Sequence, residues 1–233
     1  MWILGHVLTG WTGAEALDKP ANLFYQIVHR FAPHTIAAIF FGHTHQDHFS
    51  VFYRAQSGKS RDVSRHTHDA QVVSYVAPSI TPLTNVNPSF RVYKVDPVTF
   101  DVYDYDQYYT SVDDFDALGP SQSPIWRFLY NARDTYGDLR ASVHANKYHA
   151  PVSLDGTHWP RQAPLNASFW AALTDEMEAR PELVTTFALL KSRLSSAASN
   201  CSDTQCREAN ICYMRSATPT QGRDCPAGYG SVV

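Results

Sequence analysis

The sequence predicts an α/β fold, and three observations support that class. Two apolar runs, at 2–4 and 35–41, are each followed by Gly-His, and residues 22–31 between them place apolar side chains at helical spacing. This strand–helix–strand order is typical of the right-handed crossover unit of a parallel sheet. Two later runs, 90–95 and 98–103, flank Asp96-Pro97 and predict a pair of antiparallel strands. Either the sheet is mixed or two sheets are stacked.

The second half of the chain predicts helices. Apolar side chains share one face in 125–136, in 166–179 and in 183–194, and Pro181 suits the first turn of the last helix. Short strands at 50–53 and 71–77 belong to the first half. The acidic stretch at the junction of the two halves, around 101–116, predicts a solvated linker, because it lacks the spacing of an EF-hand calcium site. We therefore divide the chain into 1–110 and a helical part, 111–233.

Composition limits the classes of partner. The 233 residues suit one large domain or a domain with an appendage, and a hydrophobic fraction of 44% can build a core. The net charge is −3 and the pI about 6.4, with no basic block, which argues against a nucleic-acid polymer as partner. No apolar stretch approaches the roughly 18 residues that span a bilayer.

The cysteines are clustered near the end of the chain, at Cys201, Cys206, Cys212 and Cys225. An even number in a short polar tail favours two disulfides, with reduced thiols or a zinc site as alternatives. Glycosylation sequons begin at Asn166 and Asn200. Together these features favour an oxidising, secretory-route location. Because residues 1–6 lack the pattern of a signal peptide, we expect this chain to be the C-terminal part of a longer protein that carries the signal upstream.

Three histidines are candidate metal ligands. His6 follows the first predicted strand, and His43 and His45 follow the second, so all three would lie at the carboxyl edge of a parallel sheet, where open α/β sheets place their chemistry. Neutral imidazoles are common zinc ligands, and Gly42 would allow a sharp turn there. The alternative is that each is an ordinary surface or core histidine. Asp47 either orients a ligand histidine or caps the adjoining turn or strand.

Another His-x-His, at His66 and His68, lies in a polar segment with no strand or glycine before it, and we interpret it as a solvated loop. Phe90, Tyr93 and Trp126 are aromatic residues that either contact a lipid or pack in the core.

Several segments, in order along the chain, resemble one known family: the acid sphingomyelinase group of calcineurin-like metallophosphoesterases. The Gly-His of 2–7 and the Gly-His-Thr-His of 40–49 are similar to its metal motifs. Further similarity lies in 77–79, 87–93, 125–137 and 206–212. His48 departs from the better-known members, which tend to be acidic at this position.

The resemblance implies a fold and a site. Residues 1–110 would form the C-terminal half of a metallophosphoesterase two-sheet sandwich flanked by helices, and 111–233 a helical, disulfide-bonded C-terminal subdomain. His6 and His43 would bind one Zn²⁺ and His45 a second. The tail would contain the disulfides Cys201–Cys206 and Cys212–Cys225.

The resemblance also implies an activity, the zinc-dependent hydrolysis of sphingomyelin to ceramide and phosphocholine. Two zinc ions would activate a shared water for attack on phosphorus, and a general acid would protonate the leaving alkoxide. The family's other ligand motifs, Asp-x-His, Gly-Asp-x-x-Asp and Gly-Asn-His, do not occur in this chain, so we expect them, and the general acid, upstream.

Two alternatives stay open: a phosphodiesterase for nucleotides or other small phosphate esters, and a non-catalytic secreted fragment with an incomplete metal site. For the enzyme, the family implies a phospholipid or small phosphodiester substrate, peripheral membrane contact, and a secreted, lysosomal or vacuolar location.

Overall fold

The computed structural model describes residues 1–10, 17–55, 65–83, 86–119, 122–139, 158–196 and 199–229, except the side chains of residues 116 and 117. It has two β-sheets and helices that pack against them. The sandwich of the predicted α/β class is therefore confirmed.

The first sheet has the strand order β1-β2-β4-β3. Its strands are β1 Trp2–Leu4, β2 Ala38–Phe41, β3 His48–Tyr53 and β4 Ala70–Val76. Strands β1, β2 and β4 are parallel, and β3 runs antiparallel to β4. Because β4 lies between β2 and β3, the connection 42–47 crosses the carboxyl end of β4.

Helix α1, Asp18–Phe31, links β1 to β2 and confirms the predicted crossover unit. It buries Tyr25 and Val28 against the first sheet.

The second sheet is antiparallel, in the order β5-β6-β7. Its strands are β5 Ser89–Val95, β6 Val102–Tyr109 and β7 Arg127–Asn131. The predicted strand at 98–103 was placed too early. A carboxylate oxygen of Asp96 accepts hydrogen bonds from the amides of Val98 (2.7 Å) and Thr99 (2.8 Å), which fixes a turn before β6 can begin.

The helix predicted over 125–136 was wrong in its first half. Residues there form β7, because they pair with β6, and the helix α2 covers only Ala132–Tyr136. The side chain of Asn131 accepts a hydrogen bond from the amide of Asp134 and caps α2. The predicted acidic linker is also partly strand, since Asp104 and Asp106 lie on β6 and contact Lys94 of β5.

The remaining helices are α3 Ala167–Ala179, α4 Pro181–Lys191, α5 Thr204–Met214 and α6 Pro219–Gly222. The first two confirm the predicted helices at 166–179 and 183–194. Helix α4 ends before 194 because Arg193 and Leu194 have left-handed backbone conformations, with φ of 54° and 57°.

Two layers of core lie on the two faces of the first sheet. On one face, Trp170 of α3 contacts Phe49 of β3 and Tyr75 of β4, and it stacks on Tyr105 of β6. This core therefore joins both sheets to α3. It contains residues from both 1–110 and 111–233, and the division of the chain at 110 stays a prediction.

The other face packs against α1 and against a segment close to the end of the chain. Ala217 is buried in the same cluster as Tyr25. The Asn22 amide donates to Thr220 Oγ1 (3.2 Å), and Arg223 pairs with Asp18 (2.7 Å). The segment inside the loop closed by the Cys212–Cys225 disulfide thus packs over the first helix.

The four cysteines form the disulfides Cys201–Cys206 and Cys212–Cys225, the pairing that the family resemblance implies. Across the described ranges, no helix combines the length and the apolar character needed to cross a membrane.

Candidate metal centre

His6 and His43 meet at the carboxyl edge of the first sheet. The hydrogen bonds from Gly5 N to the Phe40 carbonyl and from Gly42 N to the His6 carbonyl, both 2.9 Å, continue the β1–β2 pairing beyond the strands. The two imidazole rings consequently lie edge to face with centroids 5.2 Å apart. Two side chains separated by more than thirty residues are thus brought into contact by parallel pairing.

The turn after β2 has strained backbone at the histidines and not at the glycine. The Thr44 amide donates to the Gly42 carbonyl (2.9 Å), closing a γ-turn around His43, whose φ is 73°. His45 has a φ of 57°. The expectation that Gly42 provides the sharp turn is therefore wrong. A Cβ on Gly42 would lie 3.6 Å from His6 Nδ1, which is an ordinary van der Waals contact, so the space beside that ring would also accept an alanine.

His45 is held through its main chain. Its carbonyl accepts hydrogen bonds from Arg193 Nη1 (2.5 Å) and from the Ser79 amide (3.4 Å). Its ring Nδ1 is buried, and among the described residues it has no hydrogen-bond partner. A buried ring nitrogen without a hydrogen-bond partner can bind a metal ion when it is deprotonated, or donate a hydrogen bond to a ligand when it is protonated.

These residues meet part of what zinc requires. Two imidazoles contact each other edge to face, and among the described residues a third has a ring nitrogen without a hydrogen-bond partner; such nitrogen ligands suit borderline-soft Zn²⁺. Within the described ranges, however, no three His, Cys, Asp or Glu side chains are grouped closely enough to hold a metal ion. The described residues thus fit one side of a zinc site and not a complete one. The assignment of His6, His43 and His45 to zinc stays a prediction.

Asp47 forms a buried ion pair. Its carboxylate accepts hydrogen bonds from Arg91 Nη2 of β5 and from the Tyr130 hydroxyl of β7 (2.6 Å). Arg91 also lies over the Tyr105 ring, 3.7 Å from its centroid. Asp47 therefore joins the 42–47 connection to the second sheet. Its role in orienting a ligand histidine stays a prediction.

His48 is buried directly behind this connection. Its Nε2 lies 3.1 Å from Thr44 Oγ1. Burial, and next the positive charge of Lys191, lower the pKa of His48 to about 3. This histidine is therefore neutral at physiological pH.

The C-terminal end of α4 and the turn that follows it contribute residues that sequence reasoning missed. The Lys191 carbonyl accepts a hydrogen bond from the Asp47 amide (3.0 Å), and Arg193 bonds to the His45 carbonyl. Burial lowers the pKa of Lys191 to about 8. No sequence pattern signals either residue, whereas Arg91 lies within the 87–93 segment that resembles the family.

The aromatic candidates divide into two groups. Tyr93 packs in the core against Phe40 and Tyr75, with ring centroids 5.1 and 5.7 Å apart. Phe90 and Trp126 contact each other edge to face at 4.9 Å on the opposite face of the second sheet, where Trp126 is 38% exposed. Phe90 and Tyr93 are both half-buried, so Trp126 is the most exposed of the three candidates.

The remaining candidates lie elsewhere. The rings of His66 and His68 stack at 5.3 Å, and His68 contacts Asp69 at 3.2 Å. The Asn166 side chain accepts a hydrogen bond from the Phe169 amide and caps α3, whereas Asn200 is exposed. A cavity of about 540 Å³, which includes Thr35, Gln71 and Asn166 in its lining, opens at the other edge of the sheet from the three histidines.

Comparisons with known proteins agree with the motifs. No protein-family model matches the chain. The sphingomyelin phosphodiesterase of Homo sapiens is 36% identical over 139 residues, which are 58% of this chain and 20% of that protein. Sphingomyelin phosphodiesterase 1 of Caenorhabditis elegans is 34% identical over 139 residues, 59% of this chain and 22% of that protein. The chain is related to the sphingomyelin phosphodiesterases.

The matched region spans about a fifth of the length of these sphingomyelin phosphodiesterases. A further relative is the cyclic GMP-AMP phosphodiesterase SMPDL3A of Bos taurus, 29% identical over 146 residues, which are 58% of this chain and 29% of that protein. The resemblance to the acid sphingomyelinase group is thus confirmed at the level of relatedness.

Proposed function

We propose that the chain contributes the histidine side of a zinc-dependent phosphodiesterase site that hydrolyses sphingomyelin to ceramide and phosphocholine. The observation that carries this proposal is the contact of the His6 and His43 rings, 5.2 Å apart, at the ends of adjacent parallel strands. The named activity of the sphingomyelin phosphodiesterases supports the reaction.

Zinc would supply a water of lowered pKa and positive charge that neutralises the phosphate oxygens. His6 and His43 would bind one ion and His45 another. Neutral imidazoles carry no negative charge, whereas a bridging carboxylate would offset the repulsion between two ions held close together. We infer that this carboxylate, the remaining ligands and the proton donor come from residues other than those described.

A second candidate is a phosphodiesterase for nucleotides or other small phosphate esters. It is favoured by the similarity to a protein named cyclic GMP-AMP phosphodiesterase. A third candidate, from another class, is a non-catalytic protein with an incomplete metal site. It is favoured by the finding that, across the described ranges, no three metal-binding side chains are grouped.

The two disulfides fit a non-cytosolic location, and we propose a secreted, lysosomal or vacuolar one. Phe90 and Trp126, on the outer face of the second sheet, are where we propose contact with a membrane surface.

The decisive experiment measures zinc content and substrate choice on the same preparation. We expect two zinc ions per chain when the remaining ligands are present, and release of phosphocholine from sphingomyelin vesicles faster than hydrolysis of a cyclic dinucleotide. The reverse order of rates would support the nucleotide phosphodiesterase. One weakly bound ion or none, with no turnover of either substrate, would support the non-catalytic alternative.

A further inference from the structure

The side chain of Arg193 lies at the point where the helical part of the chain contacts the 42–47 connection. Its Nε donates to the Asn87 carbonyl (2.8 Å), and its Nη1 donates to the carbonyls of His45 (2.5 Å) and Lys191 (3.2 Å). Among the described residues, every hydrogen-bond acceptor of this guanidinium is therefore a main-chain carbonyl. One side chain thus connects three segments that are distant in sequence.

Two further hydrogen bonds, each accepted by a main-chain carbonyl of the 191–193 segment, reinforce the same contact. The Asn87 side-chain amide donates to the Arg193 carbonyl (2.9 Å), and the Asp47 amide donates to the Lys191 carbonyl (3.0 Å). The turn after α4 and the 45–47 segment are consequently joined in both directions. Rotation of His45 about its backbone would break the shortest of these hydrogen bonds.

Arg193 occupies this place at an energetic cost. Its side chain is 0% exposed, its own φ is 54°, and its Nη2 has no hydrogen-bond partner within the described residues. Burial lowers its pKa to about 10. Strained backbone and a buried charge persist only where surrounding contacts hold them, and they are enriched at functional sites.

We propose that Arg193 is a positioning residue of the candidate metal centre, because its guanidinium holds the main chain of His45 in the left-handed conformation that aims the imidazole. The proposal rests on the proposed function for its relevance to zinc. It makes the end of α4 part of the site, although the sequence assigns α4 to a separate helical subdomain.

The test compares Arg193→Met with Arg180→Met. Arg180 lies at the other end of α4, where it donates to the Asp138 carbonyl and pairs with Glu176, so its loss perturbs the same helix without touching 42–47. Heteronuclear NMR of the full 233-residue chain reports the ring and amide resonances of His45. Titration of the same chain with Zn²⁺ reports affinity.

We expect Arg193→Met to shift the His45 resonances and to weaken zinc binding roughly 10–100-fold, the range for residues that orient metal ligands. Arg193→Lys should restore part of the affinity, because its single ammonium can still donate to the His45 carbonyl. Arg180→Met should lower the melting temperature while leaving the His45 resonances in place. Unchanged His45 resonances in Arg193→Met would overturn the proposal, even if the variant is less stable.

Two further outcomes are separable. If the wild-type protein binds no zinc, the proposed function fails, but the His45 resonances still decide the role of Arg193. If Arg193→Met does not fold, the contact of Arg193 with the main chain is tested in the wild-type chain by proton exchange. Slow solvent exchange of the Arg193 Nε and Nη1 protons would support the contact with main-chain carbonyls, and rapid exchange would contradict it.

Discussion

The guanidinium of Arg91 and the carboxylate of Asp47 form a buried ion pair between the two sheets. Their side chains are 2% and 5% exposed. Arg91 belongs to β5, and Asp47 belongs to the connection that carries His43 and His45. The hydroxyl of Tyr130, from β7, also donates a hydrogen bond to the carboxylate. The second sheet therefore supports the histidine-bearing connection of the first.

Removing one partner of this ion pair should be strongly destabilising. In Arg91→Met the Asp47 carboxylate stays buried without its cation, which typically costs about 3–5 kcal/mol. Urea denaturation measures the free energy of unfolding. Lys94→Met is the matched control on the same strand, because Lys94 is half exposed and should contribute less than about 1 kcal/mol. The double variant Arg91→Met with Asp47→Leu should recover much of the loss, and equal losses in single and double variants would contradict this account.

The histidines should be replaceable without loss of the fold. Asparagine tolerates the left-handed backbone that His43 and His45 adopt, so His43→Asn and His45→Asn remove an imidazole and keep the turn. We expect each to abolish the phosphodiesterase turnover of the wild-type protein while stability stays within about 1 kcal/mol of wild type. His66→Asn, in the other His-x-His, is the control. Near-normal turnover in either variant would refute the assignment of that histidine as a ligand.

His48 should make stability depend on pH. Its folded-state pKa of about 3 lies below the unfolded value of 6.5, so between these values the unfolded chain binds the extra proton. Stability should therefore fall as the pH drops below about 6.5, with a slope from this group approaching roughly 1.4 kcal/mol per pH unit.

Unfolding measured from pH 4.5 to 7 checks this slope. His48→Gln should flatten it, whereas His68→Gln, whose side chain is half exposed, should not. A slope that persists unchanged in His48→Gln would show that other groups govern the acid sensitivity.

The two sequons should differ in glycosylation. Asn166 caps α3 through its side-chain oxygen, and Ser168 of the same sequon is buried, whereas Asn200 is exposed. When the protein passes through a secretory pathway, we expect Asn200→Gln to remove a glycan and Asn166→Gln to leave the mass of the glycoprotein unchanged. Mass spectrometry of the two variants measures this, and a glycan found only on Asn166 would contradict it.

The two disulfides should contribute unequally to stability. The chain-entropy model gives about 2 kcal/mol for the shorter loop and about 3 kcal/mol for the longer one, whose cysteines are 5 and 13 residues apart. Serine pairs in place of Cys201/Cys206 and of Cys212/Cys225 test the difference by denaturation.

Zinc affinity shows whether the cysteine-bearing tail only stabilises the fold or also affects the candidate metal centre. Asn210 donates to the Cys201 sulfur (3.3 Å) and lies 3.4 Å from Lys191 Nζ, so the shorter loop approaches the histidine connection. We expect affinity to survive both serine pairs, because Arg193 contacts His45 directly. Loss of affinity with the Cys201/Cys206 pair would show that the tail does more than stabilise the fold.

Local patterns predicted those parts of the fold in which one periodicity dominates. The apolar run before His43 and the helical spacing around Trp170 each indicated a buried element of the correct type. Residues 127–131 misled the prediction because Phe128 and Leu129 also fit one face of a helix, and only pairing with β6 decides that this segment is a strand.

Of the candidate site, the sequence predicted the part that follows from parallel strand pairing. His6 and His43 follow strands, so parallel pairing brings them together, and chain order alone was sufficient to expect it. The contacts of Arg193 with His45 and Asn87 join residues more than a hundred positions apart. Nothing in the neighbourhood of Arg193 in the sequence distinguishes it from a surface arginine, and its burial depends on the tertiary fold.

The closure of the Ala217–Arg223 region over α1 has a consequence for handling the protein. Asp18, Asn22 and Tyr25 all lose neighbours if that region is deleted, and Tyr25 would become wetted although it lies under the first sheet. Deleting the cysteine-bearing end to improve expression or crystallisation would therefore destabilise α1, the helix that connects β1 to β2. The distance between the His6 and His43 rings at the carboxyl edge of the first sheet would change as a result.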